Sequence, residues 1–298
     1  MLPLWAGDAM ALGCALAWAL AILLFRKVEL EGSALNLFKN AFATLLLFAT
    51  LAVTATPFDR SRAPRDWVLL AVSGVLGLAV GDTLFLTGLR RIDASVAAVA
   101  DCAYSPTVVL LSALVLGEPL GVGILLGGPL IVAGLVAISW RVSAKRAAAS
   151  PLASLDRVGL AFAISGVMVT AIGVVVAKPA LGRSVLVEAT AVRLVAGTAA
   201  LVLFQVVAGR GRAALRAFVP SRAWFYLAPA TFLGTYVAMI LWLGGMKYGL
   251  ASRAALLNQT SAVMLMGLSR IAGEQVPLRR WVGAGLAISG VFVVVALR

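Results

Sequence analysis

The sequence predicts an all-α integral membrane protein of ten transmembrane helices, arranged as two inverted five-helix repeats. Three observations support this fold class. The chain is too apolar for a soluble protein of its size, its apolar residues form ten runs that can each cross a bilayer, and its second half repeats residues of the first half at a nearly constant spacing.

The composition excludes a soluble fold. Of the 298 residues, 62% are hydrophobic and 12% are charged, whereas a soluble domain carries about 25% charged residues. The excess apolar surface has to face a lipid bilayer. The formal net charge of +13 comes in short clusters between apolar runs and forms no continuous stripe. That pattern fits contacts with anionic headgroups and argues against a nucleic-acid partner.

Ten runs have the length of about 20 mostly apolar residues that a membrane-spanning helix needs. They cover 8–25, 34–54, 67–88, 94–116, 121–139, 159–177, 187–207, 224–245, 251–271 and 279–297. Glycines spaced four residues apart, as in Gly123 and Gly127, predict that some of these helices approach each other closely.

The two halves of the chain are related. Gly77, Ala94 and Ser95 recur as Gly234, Ala251 and Ser252, and Gly117-Glu118 recurs as Gly273-Glu274. We therefore expect a first repeat at 1–140, a basic linker at 141–158 and a second repeat at 159–298. Because each repeat holds five spans, the second enters the membrane upside down. Inverted repeats of this kind place a binding site near the midplane, between the halves.

Four ionisable residues inside the predicted spans are candidate functional residues, because a charge in the bilayer is costly. They are Lys39, Asp82, Asp101 and Arg193. Counting along the helices puts the first three about 8–10 Å from the same membrane face, so we expect them to form one polar cluster. Arg193 lies at roughly the position of Lys39 in the second repeat.

Four polar residues extend this candidate substrate-binding site. Tyr104 and Ser105 follow Asp101 by about one turn, on the same face of the helix. Asn258 stands opposite Asp101 in the second repeat, and Gln259 is the next residue. Together the charged and polar groups suit a zwitterion, whose carboxylate a cationic side chain would bind and whose ammonium group an aspartate would bind.

Each candidate also has a structural interpretation, and the sequence leaves both open. Asp82 or Asp101 carries a coupling proton, or one of them only pairs with Lys39. Lys39 and Arg193 bind substrate, or they snorkel to the interface. The amides of Asn258 and the residue after it bind substrate, or they only hold helices together.

Motifs along nearly the whole chain resemble those of the drug/metabolite transporter superfamily, in its EamA-type branch. They are 81–85, 88–95, Ser105-Pro106 and 116–120 in the first half, and 248–252 and Gly273-Glu274 in the second. The resemblance implies a multi-pass protein of the cell (inner/plasma) membrane. It also implies a secondary active transporter that exports a small-molecule substrate such as an amino acid by alternating access, as a monomer or homodimer, with protons as candidate coupling ions. Efflux of drugs and other lipophilic compounds is the alternative, and the recurrent Gly-Glu is expected to be structural.

Other classes of function are disfavoured. The chain has no histidine, and Cys14 and Cys102 lie in apolar runs, so we expect no metal site, no disulfide framework and no cofactor. An intramembrane aspartyl protease would need Gly-x-Gly-Asp where the chain has 79–82, Ala-Val-Gly-Asp, so we do not expect an enzyme. Trp18 and Trp242 lie inside spans, where they line a pathway or contact lipid.

Two arguments about membrane orientation conflict. Loops on the face opposite the chain ends hold fifteen lysines and arginines, against eight on the face of the chain ends. The positive-inside rule then places the chain ends outside. The family usually has both ends in the cytoplasm, so the orientation stays open.

Overall fold

The computed structural model of this chain describes residues 4–25, 27–28, 30, 32–55, 58–59, 61–89, 91–92, 100–147, 156–271, 273 and 276–297. Within these ranges the regular structure is entirely helical, with no strand. The predicted all-α class is therefore confirmed. The described residues form ten main helical runs, which we number α1 to α10.

The first half contains α1 (Leu4–Phe25), α2 (Gly32–Val53), α3 (Pro64–Gly74, Val75–Gly81 and Asp82–Leu89), α4 (Tyr104–Leu116) and α5 (Val122–Ala147). The second half contains α6 (Arg157–Gly182), α7 (Leu186–Val207), α8 (Trp224–Thr231, Phe232–Val237 and Ala238–Tyr248), α9 (Ala251–Asn258 and Ser261–Ile271) and α10 (Leu278–Ala296). A short helix at Gly211–Leu215 precedes α8.

Seven helices in the described part of the chain are long and apolar enough to cross a membrane, namely α1, α2, α3, α6, α7, α8 and α10. The count of ten spans stays a prediction, because α4 is shorter and α9 is interrupted. The predicted span at 94–116 lies partly outside the described residues. The apolar part of α5 ends at Ile138, within one residue of the predicted end of the fifth span, and the helix continues to Ala147 into the expected linker.

The two halves share the same irregularities, which confirms the predicted repeat. The middle of α3, at Val75–Gly81, is a π-helix, and so is the middle of α8, at Phe232–Val237. A turn at 102–103 precedes α4, and a turn at 259–260 interrupts α9. Pro106 explains the first turn, because it cannot donate to the carbonyl four residues earlier. The second turn has no proline, so the surrounding packing imposes it.

Most of the helix packing joins one half to the other. Helix α1 packs on α8 and α9, and its counterpart α6 packs on α3 and α4, while α2 meets α7 and α5 meets α10. The α5–α10 contact is backbone to backbone, since a Cβ added at Gly127 would lie 2.5 Å from the carbonyl oxygen of Gly290. Small residues at such seams allow the helices to approach closely.

Because α1 begins and α10 ends at the same end of the bundle, we call that end the terminal face and the other the opposite face. Helices α1, α3, α5, α7 and α9 run from the terminal face to the opposite face, and the others run back.

Candidate functional site

A small cavity of about 170 Å³ lies between the two halves. Seven helices line it: α1, α2 and α3 from the first half, and α6, α7, α8 and α9 from the second. Its polar and aromatic lining consists of Cys14, Trp18, Lys39, Asn40, Asp82, Thr170, Arg193, Thr235, Trp242 and Asn258. Both π-helical segments reach the wall, through Gly77 in α3 and Gly234 in α8.

An ion pair lies on the cavity wall toward the opposite face. The Lys39 Nζ atom lies 2.9 Å from Oδ2 of Asp82, and the two side chains remain 16% and 27% exposed. Lys39 follows the start of α2 by seven residues, and Asp82 precedes the end of α3 by seven, so each lies about 10 Å from the opposite face. The predicted proximity of these two residues is therefore found.

Hydrogen bonds from two asparagine side chains fix the helices that carry this ion pair. Asn36 donates from Nδ2 to the Leu78 carbonyl of α3 at 3.1 Å, and Asn40 donates to the side chain of Asn36 at 2.9 Å. Because the first bond crosses between helices, it fixes α2 against the π-helical segment that leads into Asp82. Neither amide was predicted as a site residue, although two asparagines four residues apart within an apolar run indicate a polar face on the helix.

Arg193 lies at the other end of the cavity, seven residues after the start of α7 at the terminal face. Its side chain is fully buried and donates from Nη1 to the Ser73 hydroxyl, which in turn donates to the Gly173 carbonyl. The guanidinium carbon lies 5.5 Å from the ring centre of Trp242. Snorkelling of Arg193 to the interface is therefore wrong, because helices α3, α6 and α8 enclose it.

Several buried polar atoms on the cavity lining have no hydrogen-bond partner among the described residues. They are Nε of Arg193, Oγ1 of Thr235 and Oδ1 of Asn258. Such atoms are costly when they are left unpaired. Trp18 and Trp242 both line the cavity.

The other predicted site residues do not line this cavity. The Asp101 side chain is exposed and has no hydrogen-bond or ion-pair partner in the described part of the chain, and its carbonyl accepts a 3.0 Å hydrogen bond from Gln259 Nε2. Tyr104 and Ser105 are buried. The structure thus does not bring Asp101 to the Lys39–Asp82 pair. Counting along a helix gives the depth of a residue, but it does not give the side of the helix on which the residue lies.

In the described part of the chain, the terminal face carries four ion pairs, and each of them joins the first half to the second. They are Asp8–Arg253 at 2.7 Å, Arg62–Glu188 at 2.5 Å, Asp66–Arg183 at 2.5 Å and Glu118–Lys178 at 3.9 Å. The opposite face has one such pair among the described residues, the more exposed Arg91–Asp156 at 3.0 Å. This asymmetry was not predicted from the sequence.

The best-buried of these pairs is Arg62–Glu188, whose side chains are 3% and 0% exposed. Glu188 also accepts the backbone N–H of Asp59 at 2.9 Å, and Arg62 stacks on Trp67. The pair therefore locks the α2–α3 loop onto the start of α7 at the terminal face.

Glu118 has the structural role expected for the Gly-Glu motif. Its carboxylate accepts the backbone N–H groups of Ala251 and Ser252, at 2.8 and 3.1 Å, as well as the Ser252 hydroxyl. It thus caps the first turn of α9, where the exposed N–H groups favour a negative charge. The corresponding Glu274 lies outside the described residues.

The fold and the cavity define a class: a multi-pass membrane protein with two inverted repeats around a charged central cavity, the architecture of secondary transporters. The model of the EamA-like transporter family matches residues 5–140 and again 157–296. The chain therefore belongs to the EamA-like transporter family, within the drug/metabolite transporter superfamily.

A solved crystal structure has the same fold, with a TM-score of 0.79, 18% sequence identity and coverage of 99% of each chain. No curated protein matches the chain.

Proposed function

We propose that this protein is a secondary active transporter that exports small polar metabolites such as amino acids by alternating access. The observation that carries the proposal is the charged cavity between the halves, together with ion pairs between the halves that, among the described residues, are more numerous and better buried at the terminal face than at the opposite face. Cargo that enters past Lys39 and Asp82 would reach a cavity whose far end is closed by these pairs.

This arrangement supports the proposed alternating access. Release at the terminal face requires the halves to separate there, so the pairs across that face have to open. The inverted repeat also provides a second conformation, open at the terminal face and closed at the opposite face. Each half can adopt the conformation that the other half has in this structure, because the two halves share one fold. The ion pairs thus serve as a gate that the loaded protein has to open.

The Lys39–Asp82 pair is the candidate for proton coupling. A proton on Asp82 removes the negative charge that holds Lys39, and the freed lysine then interacts with cargo or with water. Asp101 was the other candidate. Its position away from the cavity argues for Asp82 as the coupling residue.

Flux measurements in proteoliposomes test the proposal. Labelled amino acids and a few lipophilic cations are supplied with and without a pH gradient, to the wild type, Asp82→Asn and Asp101→Asn. We expect saturable flux of amino acids that Asp82→Asn abolishes and Asp101→Asn retains. Preference for lipophilic cations would favour drug efflux, and the absence of saturable flux for every compound would refute the amino-acid proposal.

The direction of transport requires oriented vesicles. In everted membrane vesicles of cells that express the protein, an exporter accumulates its substrate, whereas in right-side-out vesicles it does not. Accumulation in right-side-out vesicles alone would contradict export while leaving transport itself intact.

A further inference from the structure

The cavity contains an unbalanced positive charge. Lys39 and Asp82 neutralise each other, whereas Arg193 has no acidic partner among the described residues and is only 1% exposed. Its contacts are a serine hydroxyl and the face of Trp242. A buried cation without a counter-anion strongly destabilises a protein, so we expect this site to bind an anion.

Further hydrogen-bond donors lie on the same cavity lining. Nε of Arg193 and the Thr235 hydroxyl are buried, and neither has a partner in the described part of the chain. The indole N–H of Trp242, which only donates, belongs to the ring that the Arg193 guanidinium contacts. A buried, unbalanced cation with such donors on the same lining has the chemistry of a carboxylate site.

A buried acceptor lies at the same depth. Asn258 follows the start of α9 by seven residues, and Arg193 follows the start of α7 by seven, so both lie about 10 Å from the terminal face. The Oδ1 atom of Asn258 is buried and unpaired. It suits a neutral or cationic N–H donor on the same small molecule.

We infer that the cargo carries a carboxylate, which binds against Arg193, Trp242 and Thr235, and that Asn258 accepts a hydrogen bond from its amino group. This inference rests on the proposed function and adds which end of the cargo binds where. Asp82 does not bind the amino group, because Lys39 already pairs with it nearer the opposite face. Amines that lack a carboxylate are not cargo.

Thermal unfolding of the full-length protein in detergent tests the site without any flux. The probes are the twenty common amino acids, their carboxamides, and chloride and phosphate at equal ionic strength. We expect at least one amino acid to raise the Tm in a saturable way and its carboxamide to leave the Tm unchanged. A carboxamide that stabilises equally, or a panel in which no amino acid stabilises, overturns the inference. Stabilisation by chloride or phosphate to the same extent assigns the site to inorganic anions and also overturns it.

Single-atom variants locate the site, and the chain offers a matched control. Thr235→Val and Trp242→Phe each remove one donor and keep the shape, and each is expected to weaken binding of the stabilising amino acid about tenfold. Thr231 lies one turn earlier on α8, is equally buried with an unpaired hydroxyl, and does not line the cavity. Thr231→Val should leave the affinity unchanged. Equal weakening by Thr231→Val and Thr235→Val refutes the location.

Arg193→Lys and Arg193→Met complete the test. Lysine keeps the positive charge but lacks the two parallel N–H donors of the guanidinium group, so we expect partial retention of binding. Methionine has neither the charge nor the donors and should abolish binding. If the methionine variant does not fold, Thr235→Val and Trp242→Phe still decide the result. Binding that depends on these donors without flux in proteoliposomes refutes the proposed function and leaves the anion site standing. Equal flux of amino acids and their carboxamides refutes the carboxylate site and leaves the proposed transport function standing.

Discussion

Removing the negative charge of Glu188 should open the terminal face. The variant Glu188→Gln leaves Arg62 buried without a counter-charge, at 3% exposure. Removing one partner of a buried pair costs about 3–5 kcal/mol. If the pair forms only in this conformation, a cost of about 3 kcal/mol shifts the equilibrium toward the state open at the terminal face by roughly 100-fold.

A native cysteine provides the assay. Cys14 lines the cavity and is 4% exposed, so its alkylation reports which face gives access to the cavity. In a Cys102→Ala background, a membrane-impermeant thiol reagent is added from one side of the membrane at a time. We expect the labelling rate from the terminal face to rise by about two orders of magnitude in Glu188→Gln, and the rate from the opposite face to fall.

Two controls separate gating from general destabilisation. The double variant Arg62→Met, Glu188→Met replaces the pair by apolar side chains and should recover the Tm, because such replacements are often neutral or stabilising. Arg91→Gln removes an exposed pair on the opposite face and should not raise access from the terminal face. A lower Tm in Glu188→Gln with an unchanged labelling rate from the terminal face would show that the pair holds the fold together without gating it.

Three further predictions follow from the structure. Gly127→Val places branched carbons against the backbone of α10 and should lower stability by about 1–3 kcal/mol, measured as the Tm in detergent, whereas Gly285→Val meets open space and should not. Asn36→Leu removes the hydrogen bond to the Leu78 carbonyl and should reduce flux with little loss of Tm; unchanged flux contradicts a positioning role. Asp156 caps α6 through two backbone N–H groups, and these bonds and the nearby arginine hold its pKa below the ordinary 3.8. A carboxyl with a lowered folded pKa stabilises the protein above its unfolded pKa and loses that contribution as the pH falls through the folded pKa. The Tm difference between wild type and Asp156→Ala should therefore shrink below about pH 4, and a constant difference would contradict the cap.

Apolar periodicity and length identified the helices well where they are regular. Helix α7, at Leu186–Val207, lies within one residue of its predicted span. The π-helical segments and the turns at 102–103 and 259–260 were not predicted, because they change the backbone hydrogen bonding without changing the apolar composition.

The candidate site was predicted as far as helix geometry allows. Counting residues along helices correctly brought Lys39 and Asp82 together, because both helices are continuous from the opposite face to these residues. The same count could not show that Asp101 lies away from the cavity, because depth along a helix does not determine the side on which a residue lies. Thr235 and the four ion pairs of the terminal face depend on how the halves pack, which a single sequence does not show.

The π-helical segment of α3 has one further consequence. Its hydrogen bonds span five residues instead of four, so this stretch holds extra backbone that the neighbouring turns lack. If the wide turn migrates along the helix, the residues it passes rotate about the axis while both ends stay anchored. Such a migration toward Asp82 would turn its carboxylate away from Lys39 without unwinding α3. The equivalent segment of α8 gives the second half the same freedom of rotation, next to Thr235.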